Sequence, residues 1–263
     1  MSEQIFDAQS VLDHLHTPNL QITVLPEVTS TNTILAQQAM QGAPEGTVLA
    51  AHRQSAGRGR IGRSFYSPAC GGLYFTLLLR PSFKSAKSAL LTPACAVAMA
   101  DAIEKVCHIS PKIKWVNDLY LHSRKICGIL TEAMPDKSGK NLDYVLIGIG
   151  TNIYPAEQAL PQELSQKAGT IFPAKTEIDY RPLILAAFLD NFFSLYPALN
   201  HEEIFPAYKD KLFILGSEVE VSFGADSYPA QVMDLNDDFS LRVRTKGGEY
   251  KNLFSGEISL KIL

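Results

Sequence analysis

The strongest limit on the fold of this chain is a set of short apolar runs separated by glycine or proline. Residues 73–79 are rich in β-forming side chains, and residues 47–51 and 144–150 are equally apolar. Each run has the length and composition of a buried strand. A helix of small apolar residues is predicted at 93–107 and should pack closely against the sheet. Strands and helices in this order predict an α/β domain that extends to about residue 215.

The remaining elements of this domain follow from the same kinds of pattern. Polar residues at 29–32 supply N-cap candidates for a helix at 34–40. The Pro- and Gln-rich stretch at 155–178 is predicted to be a loop with little regular structure. Further predicted elements are a short helix within 1–20, a strand at 21–25, two or three strands within 112–134 around a turn at 122–124, and helices at 181–199 and 201–212.

The sequence pattern changes after residues 215–216. Residues 218–223 alternate between apolar and polar with a period of two, and further short strands are predicted at 230–235, 241–244 and 258–262. Several short strands with tight turns in so few residues predict a small β-barrel. We therefore divide the chain into a catalytic domain, residues 1–215, and a small C-terminal barrel, residues 216–263.

Charge and cysteine content exclude several classes of protein. Lys and Arg number 24 against 27 Asp and Glu, so the net charge of −3 does not favour general nucleic-acid binding. No signal peptide opens the chain, and no apolar run approaches the ~18 residues that a membrane span needs. No C-x-x-C pair occurs, which argues against a zinc site or a disulfide framework and fits a reduced, cytoplasmic setting. The cysteines are Cys70, Cys95, Cys107 and Cys127.

A basic loop is predicted at residues 53–64, after the strand at 47–51. Its twelve residues include four arginines and three glycines but only one large aliphatic side chain, Ile61. Glycine loses much conformational entropy on ordering, so we expect this loop to be mobile when nothing is bound. Arginine forks and the open backbone N–H groups of glycine both suit an anion. The loop is therefore predicted to close over a phosphate-bearing ligand.

The basic loop is open to three further interpretations. Gly57-x-Gly59-x-x-Gly62 matches the dinucleotide-binding fingerprint, but a helix should follow at once and an acidic residue should lie about 20 positions on. Here a strand follows and no acidic residue occurs before Asp101. The second interpretation is a solvated basic loop without a ligand. The third is an RNA-binding segment, although one short tract on an acidic chain is weak support for RNA binding.

Polar residues interrupt the strands predicted within 112–134. Lys114, Asn117, Asp118 and Lys125 stand among residues that otherwise suit a core. Buried charges need partners, so these side chains either pair with one another or face a charged ligand. Asn117 and Asp118 also offer oxygen ligands for a Mg²⁺ ion that arrives with a nucleotide.

Six stretches, taken in order, form a joint pattern along the chain. They are Ser30-Thr31-Asn32, the loop from Gln54 to Arg63, Lys114-Trp115-x-Asn117-Asp118, Arg124-Lys125-x-x-Gly128-Ile129-Leu130-x-Glu132, Gly148-x-Gly150-x-Asn152 and Gly256-Glu257-Ile258-Ser259-Leu260. This pattern resembles that of the biotin protein ligases from about residue 28 to the end of the chain. On its own, the third glycine stretch would be read as a turn or as a base-binding amide.

The resemblance implies a fold and a two-step reaction. The fold is α+β, with a mixed or antiparallel sheet packed against helices in a class II synthetase-like core, followed by an SH3-like barrel. In the first step, biotin and MgATP give biotinyl-5′-AMP and pyrophosphate. In the second step, the acyl group passes to one lysine of the biotin carboxyl carrier protein of acetyl-CoA carboxylase. Fixed cations favour both steps, because negative charge gathers at the α-phosphate and the acyl carbon.

The resemblance also implies roles for individual residues. Lys125 would sit at the biotin carboxylate and the α-phosphate, Arg58-Gly59-Arg60 would form a closing lid that also contacts biotin, and Lys114 would join them in catalysis. The polar ureido end of biotin would be bound by Ser30, Thr31, Asn32 and Gln54. Contacts to ATP and the adenylate would come from Arg58, Gly59, Arg60, Arg63, Lys114, Asn117, Asp118, Lys125 and Asn152, with Asp118 as the Mg²⁺ ligand.

Departures from the family pattern carry further expectations. Val116 stands where many members have Pro, and Phe65 where Trp is common. Larger bacterial members carry an N-terminal helix-turn-helix repressor domain, for which the residues before Ser30 leave no room. We therefore expect a short form that does not bind DNA or repress genes, and a homodimer paired through sheet edges. A lipoate ligase or octanoyltransferase, which lack the glycine-arginine loop, is the nearest alternative.

Overall fold

The computed structural model describes residues 6–60, 62–69, 71–83, 85–139, 141–157, 160–223, 226–254 and 258–262. Several sequence features lie outside these residues. They are Ile61 of the basic loop, Cys70, Gly256 and Glu257 of the terminal motif, and the first five residues of the predicted N-terminal helix.

The first 211 residues contain both helices and strands. The helices are α1 (Ala8–Leu12), α2 (Thr31–Met40), α3 (Leu91–Cys107), α4 (Gln162–Ser165), α5 (Tyr180–Leu195) and α6 (His201–Lys211), and a 3₁₀ helix spans Ser85–Leu90. The strands of this part are β1 (Gln21–Val28), β2 (Thr47–Gln54), β3 (Gly72–Leu79), β4 (Lys112–Lys114), β5 (Asp118–Leu121), β6 (Arg124–Pro135) and β7 (Leu142–Asn152).

These strands form one sheet of mixed direction, in the order β1-β2-β3-β7-β6-β5-β4. Only β1 and β2 run parallel, and every other neighbouring pair is antiparallel. The domain is therefore α+β, as the family resemblance implied, and not the α/β domain predicted from the order of elements, since most neighbouring strands are antiparallel and only β1-α2-β2 forms a parallel β-α-β unit among the described residues. The hairpin between β5 and β6 turns at His122 and Ser123, both with positive φ, where a turn was predicted.

Helices cover both faces of the sheet, and this explains the uniformly apolar runs. One face packs on α3 and α5, for example through Phe75 against Phe188 at a ring separation of 5.3 Å. On the other face, Leu35 of α2 packs with Leu78 and Leu146. Because side chains on alternate positions of β3 and β7 meet a helix layer on either side, apolar residues are favoured at every position.

The C-terminal residues form a second, smaller sheet. Its strands are β8 (Glu218–Phe223), β9 (Asp226–Leu235), β10 (Leu241–Thr245), β11 (Tyr250–Leu253) and β12 (Ile258–Ile262), in the antiparallel order β11-β10-β9-β8-β12. In β10, Leu241 and Val243 are buried whereas Arg242 and Arg244 are exposed, the alternation expected of a sheet with one solvated face. Among the described residues, no helix is long and apolar enough to cross a membrane.

Candidate functional site

A large open cleft of about 2090 Å³ lies on the α2 side of the main sheet. The structure brings every sequence-predicted site residue to this cleft, although they come from α2, β2, the basic loop, β4, β5, β6 and β7. These residues are Ser30, Thr31, Asn32, Gln54, Arg58, Gly59, Arg60, Arg63, Lys114, Asn117, Asp118, Lys125 and Asn152. Their assigned roles remain predictions.

Glycines on β6 and β7 make the floor of the cleft. Along β7, Leu146 packs beneath α2, and the next two residues on the same face are Gly148 and Gly150. Gly128 of β6 pairs with Gly150 across the ladder. Since α2 ends its coverage at Leu146 and the glycines have no side chain, the Asn32 amide and the Phe65 ring lie directly on this part of the face. A groove continues from the N-terminus of α2 towards Asn152.

Two of these glycines are required by the side chains above them. A Cβ on Gly148 would lie 2.0 Å from Asn32 Oδ1, and a Cβ on Gly150 would lie 2.4 Å from Phe65 Cε1. The Phe65 ring also lies 6.0 Å from the Lys125 ammonium group. The floor thus fixes how deeply the Asn32 amide and the Phe65 ring sit in the cleft.

The N-terminus of α2 forms a polar end to the groove. Ser30 is the buried N-cap residue, but its side chain makes no capping hydrogen bond. Instead, the Thr31 backbone N–H donates to Gln54 Oε1 at 2.9 Å, and the Thr31 hydroxyl lies 3.1 Å from the same oxygen. Gln54 Nε2 donates to Ser67 Oγ at 2.9 Å. This end therefore presents a hydroxyl, an amide and a helix N-terminus to a polar ligand group.

The Asn32 amide is oriented by partners on both sides. Its Oδ1 accepts from the buried Thr76 hydroxyl at 2.6 Å, and its Nδ2 donates to Glu132 Oε2 at 2.8 Å. Glu132 also pairs with Arg58 through two bonds, of 3.1 and 2.6 Å. The carboxylate can only accept, so the assignment of the amide nitrogen to Glu132 is unambiguous.

The basic loop folds back over the cleft as an irregular hairpin. Backbone bonds from Phe65 to Gly57 (2.9 Å) and from Gly59 to Arg63 (2.7 Å) hold its two sides together. Arg60 Nη1 donates to Asn117 Oδ1 at 3.0 Å, so the loop reaches the turn between β4 and β5. The expected mobility of this loop in the absence of a ligand stays a prediction.

Cations surround a single carboxylate at the other end of the groove. Lys125 Nζ lies 2.6 Å from Asp118 Oδ1, an ion-pair distance, but no donor in the described structure reaches this buried oxygen at a hydrogen-bond angle. Burial lowers the pKa of the nearby Lys114 from its usual value, and the attraction of Asp118 offsets this only in part. Burial likewise lowers the pKa of Arg60, again opposed by Asp118. This concentration of positive charge suits a phosphate or a carboxylate ligand.

Residues 167–169 form the wall beside Lys125. The Lys125 backbone N–H donates to Lys167 O, and the Gly169 N–H donates back to Lys125 O, each at 2.9 Å. Asn152 Nδ2 donates to Gly169 O at 3.1 Å. The segment predicted to be an irregular loop thus contains α4 and pairs with the start of β6, which encloses the groove at this end.

The described residues offer little for a resident metal ion. No group of three or more His, Cys, Asp or Glu side chains that could hold a metal occurs among them. Asn117 Oδ1 already accepts from Arg60, and its Nδ2 donates to Ile129 O at 2.7 Å. Asp118 is the carboxylate available in the cationic end, so it suits an ion that arrives on substrate phosphates, with Asp118 as one ligand.

Two residues of the site were missed by the sequence analysis. Glu132 was part of a motif but received no role, because its partners Asn32 and Arg58 are distant in sequence. Thr76 could have been identified from the sequence, because it is the one small hydroxyl side chain within the apolar run of β3. In the structure it is fully buried. A polar side chain in such a run needs a partner, and the structure supplies Thr31 and Asn32.

Comparison with known proteins gives the class to which this fold and site belong. Residues 24–152 match the model of the Biotin/lipoate A/B protein ligase family. These residues therefore form a domain of that family. In structure, the chain is similar to biotin protein ligases along most of its length.

Three similar proteins illustrate the extent of the match. The "Bifunctional ligase/repressor BirA" of Bacillus spizizenii is 29% identical over 236 residues, which cover 89% of this chain and 72% of the relative. The "Biotin--[acetyl-CoA-carboxylase] ligase" of Paracoccus denitrificans is 40% identical over 111 residues, covering 41% and 45%. The biotin protein ligase from Aquifex aeolicus, solved in complex with biotin and ATP, has a TM-score of 0.73 at 28% identity and covers 92% of this chain and 99% of its own.

Proposed function

We propose that this chain joins biotin to AMP and then transfers the biotinyl group to a lysine of a biotin carboxyl carrier protein. The observation that carries the proposal is one groove with an amide and hydroxyl end at Thr31 and Gln54 and a cationic end at Lys125. Between them, the Asn32 amide and the Phe65 ring lie on a glycine floor, and the groove beside them suits a flat, apolar body. The name of the Paracoccus relative and the biotin and ATP bound to the Aquifex enzyme support this choice of substrates.

The polar end of the groove would bind the ureido group of biotin. A ureido group has one carbonyl acceptor and two N–H donors, and the groove offers the Ser30 hydroxyl, the Thr31 hydroxyl and the Gln54 amide. Since Asn32 is held by Thr76 and Glu132, its position is set before biotin arrives. Preformed partners reduce the ordering cost of binding. The ring and the acyl tail would then lie beside the Asn32 amide and the Phe65 ring, which cover Gly148 and Gly150.

In the first step, a carboxylate oxygen of biotin attacks the α-phosphorus of MgATP, and pyrophosphate leaves. The magnesium ion enters as part of this substrate. The fixed positive charges of Lys125 and Arg58 would reduce the repulsion between the biotin carboxylate and the α-phosphate as the two approach each other. Lys114 adds a further cation beside Asp118. Asp118 keeps the Lys125 ammonium group in place, because the two lie 2.6 Å apart. Arg60 closes the loop over the product and excludes water from the mixed anhydride.

In the second step, the amine of the carrier lysine attacks the acyl carbon, and AMP leaves. Only about one in 2,500 lysines is neutral at pH 7, since the unperturbed pKa is ~10.4. We assign the departing proton to the Asp118 carboxylate, which lies at the cationic end of the groove, 2.6 Å from Lys125. An amide bond forms, the acyl–phosphate bond breaks, and the carrier is left with biotin on one lysine.

The test is pyrophosphate release with biotin and MgATP, followed by transfer of labelled biotin to a purified carrier domain. We expect release with biotin, and label on the carrier only when both substrates are present. Lipoate and octanoate are the matched alternatives, because the matched family model covers biotin and lipoate ligases alike. Release with lipoate and none with biotin would move the chain to the lipoate branch.

Two further proposals concern what this chain assembles with. We propose that these 263 residues do not bind operator DNA, since their net charge of −3 does not favour binding to nucleic acid. A gel-shift assay with biotin-gene promoter DNA tests this proposal. We also propose a homodimer, on the basis of the family resemblance. Sedimentation equilibrium with and without biotin and MgATP tests this proposal by measuring the molecular mass of the protein in solution.

A further inference from the structure

The two domains are joined at a buried hydrogen bond beside the cleft. Trp115 follows β4, and its indole N–H donates to the backbone carbonyl of Phe239 at 2.9 Å. Phe239 lies in the turn between β9 and β10 of the C-terminal sheet. Only 6% of Trp115 and 7% of Phe239 is exposed, so water does not compete for this bond.

The Phe239 turn is built to present this carbonyl. Phe239 has φ of +61°, an uncommon conformation for a bulky residue, and its N–H donates to Asn236 O at 2.9 Å. Its ring lies among aromatic side chains of α6, at 5.4 Å from Phe205 and 5.5 Å from Tyr208. Local hydrogen bonds and ring packing together over-determine a conformation that would otherwise be disfavoured.

Tyr208 makes a second bond to the same stretch of the catalytic domain. Its buried hydroxyl donates to the backbone carbonyl of Val116 at 3.0 Å. Trp115 and Val116 are therefore both held from outside the main sheet. The next two residues are Asn117, which receives Arg60 of the basic loop, and Asp118. Movement of the Trp115 and Val116 backbone would displace both side chains in the cleft.

We propose that Phe239, with Trp115 and Tyr208, is a positioning residue that fixes Asn117 and Asp118 for the adenylation step. The inference rests on the proposed function for its reaction, but the contact itself belongs to the fold. It assigns the C-terminal domain a part in catalysis without any contact between that domain's turn and the substrates. The biotin end of the groove is built on α2 and β7, whereas the Phe239 turn bonds to Trp115 after β4, so biotin binding is expected to be independent of this turn.

The test uses Tyr208→Phe, which removes one O–H with little change in volume, and Trp115→Phe, which removes one N–H and also part of a buried ring. We expect kcat/KM for MgATP to fall about tenfold in each, as for loss of one buried hydrogen bond, while the Kd for biotin stays within twofold of wild type. Asp234→Asn is the matched control, since it breaks the exposed Lys209–Asp234 pair between the same domains. It should leave kcat/KM unchanged.

Three measurements test the positioning role and the contact behind it. In an Asp118→Asn background, Trp115→Phe should cost much less than in wild type, because it acts through Asp118. Amide hydrogen exchange of residues 114–120 should be faster in both variants at a temperature where each remains folded. Trp115 is the only tryptophan of the chain, so in Phe239→Ala its emission should shift to longer wavelength as the indole becomes hydrated.

The outcomes also separate this inference from the proposed function. If the wild-type protein fails to release pyrophosphate with biotin and MgATP, the proposed function is contradicted. Hydrogen exchange of residues 114–120 in the two variants then still tests whether the contact holds this segment in place. If the wild type is active but amide hydrogen exchange of residues 114–120 is unchanged in both Trp115→Phe and Tyr208→Phe, the positioning role is overturned. A fall in activity that is equal in the wild-type and Asp118→Asn backgrounds overturns it as well.

Discussion

Gly148 on β7 lies directly against the amide of Asn32, and a Cβ at this position would come within 2.0 Å of Asn32 Oδ1. Asn32 cannot retreat without losing Thr76 or Glu132. Gly148→Ala should therefore push the amide out of its place. We expect the KM for biotin to rise at least tenfold, with a loss of about 1–3 kcal/mol in the free energy of unfolding from overpacking. Pyrophosphate release against biotin concentration and urea denaturation measure the two effects.

A second glycine supplies the control for this substitution. A Cβ on Gly247, in the turn after β10, would meet only Thr245 Oγ1 at 3.8 Å, an ordinary contact. Gly247→Ala should leave the KM for biotin unchanged. An unchanged KM in Gly148→Ala would show that Asn32 does not help to bind the ureido group.

Arg60→Ala should let the adenylate escape while the fold stays intact. Arg60 donates to Asn117 Oδ1 at 3.0 Å and so attaches the basic loop to the far side of the cleft. Without this contact, the loop no longer covers the mixed anhydride. We expect biotinyl-5′-AMP to appear in solution roughly five to ten times faster than with wild type when no carrier is present, as lids of this kind retain reactive intermediates. Chromatography of the filtered reaction measures the release.

Arg53→Ala is the matched control for the loss of one arginine. Arg53 pairs with Glu27 at 3.2 Å on the surface, away from the residues that line the cleft. Its removal should change neither release nor folding. Release from Arg60→Ala at the wild-type rate would refute the lid role, provided that circular dichroism shows both variants folded.

The buried Lys114 should give activity an alkaline limit. Burial lowers its pKa below the usual 10.5, and a phosphate ligand needs the charged form. In free enzyme, kcat/KM for MgATP is then full at neutral pH and falls as pH rises through this lowered pKa. Stability changes in the opposite direction: between the folded and unfolded pKa values the unfolded chain binds more protons, so the contribution of Lys114 to stability rises with pH. Stopped-time assays and urea unfolding across pH 7–10.5 test both signs.

Lys114→Arg identifies the group responsible for that limit. Arginine keeps its charge throughout this range. The alkaline fall in kcat/KM should therefore disappear, or move to higher pH, even if the activity at neutral pH is lower. A limb that stays at the same pH in this variant would belong to another group.

Most of the main sheet could be predicted because its strands are apolar at every position. The runs in β3 and β7 are covered by α2 on one side and by α3 and α5 on the other, so burial alone gave their positions. The short helix α4 was not predicted, because its stretch is polar and rich in proline, and its place depends on pairing with Lys125 rather than on its own pattern. The local sequence does not indicate which distant residue such a segment pairs with.

The candidate site was predicted as a set of residues but not as a set of contacts. Its motifs contain polar side chains, and a protein core accommodates such side chains only when they have hydrogen-bond or charge partners. Their partners depend on strand register and domain packing: Asn32 meets Glu132 a hundred residues away, and Trp115 meets Phe239 across 124 residues. A slip of one residue in the register of β6 would turn Glu132 to the other face, so the motifs alone could not assign that bond.

Asp118→Asn should slow both steps of the reaction and also move the alkaline limit set by Lys114. The substitution keeps the shape of the side chain but removes the negative charge that lies 2.6 Å from Lys125 and that raises the pKa of Lys114 against burial. We expect kcat to fall by about 10²–10³, the size of effect seen when a fixed electrostatic contact is lost. The alkaline limb of kcat/KM should shift to lower pH, because the charged form of Lys114 loses its attraction to Asp118.

Asp101→Asn is the matched control, because it breaks an ion pair with Lys211 at 2.8 Å outside the cleft. It should leave the alkaline limb of kcat/KM in place. A limb that does not move in Asp118→Asn would mean that the alkaline limit belongs to a group that Asp118 does not influence.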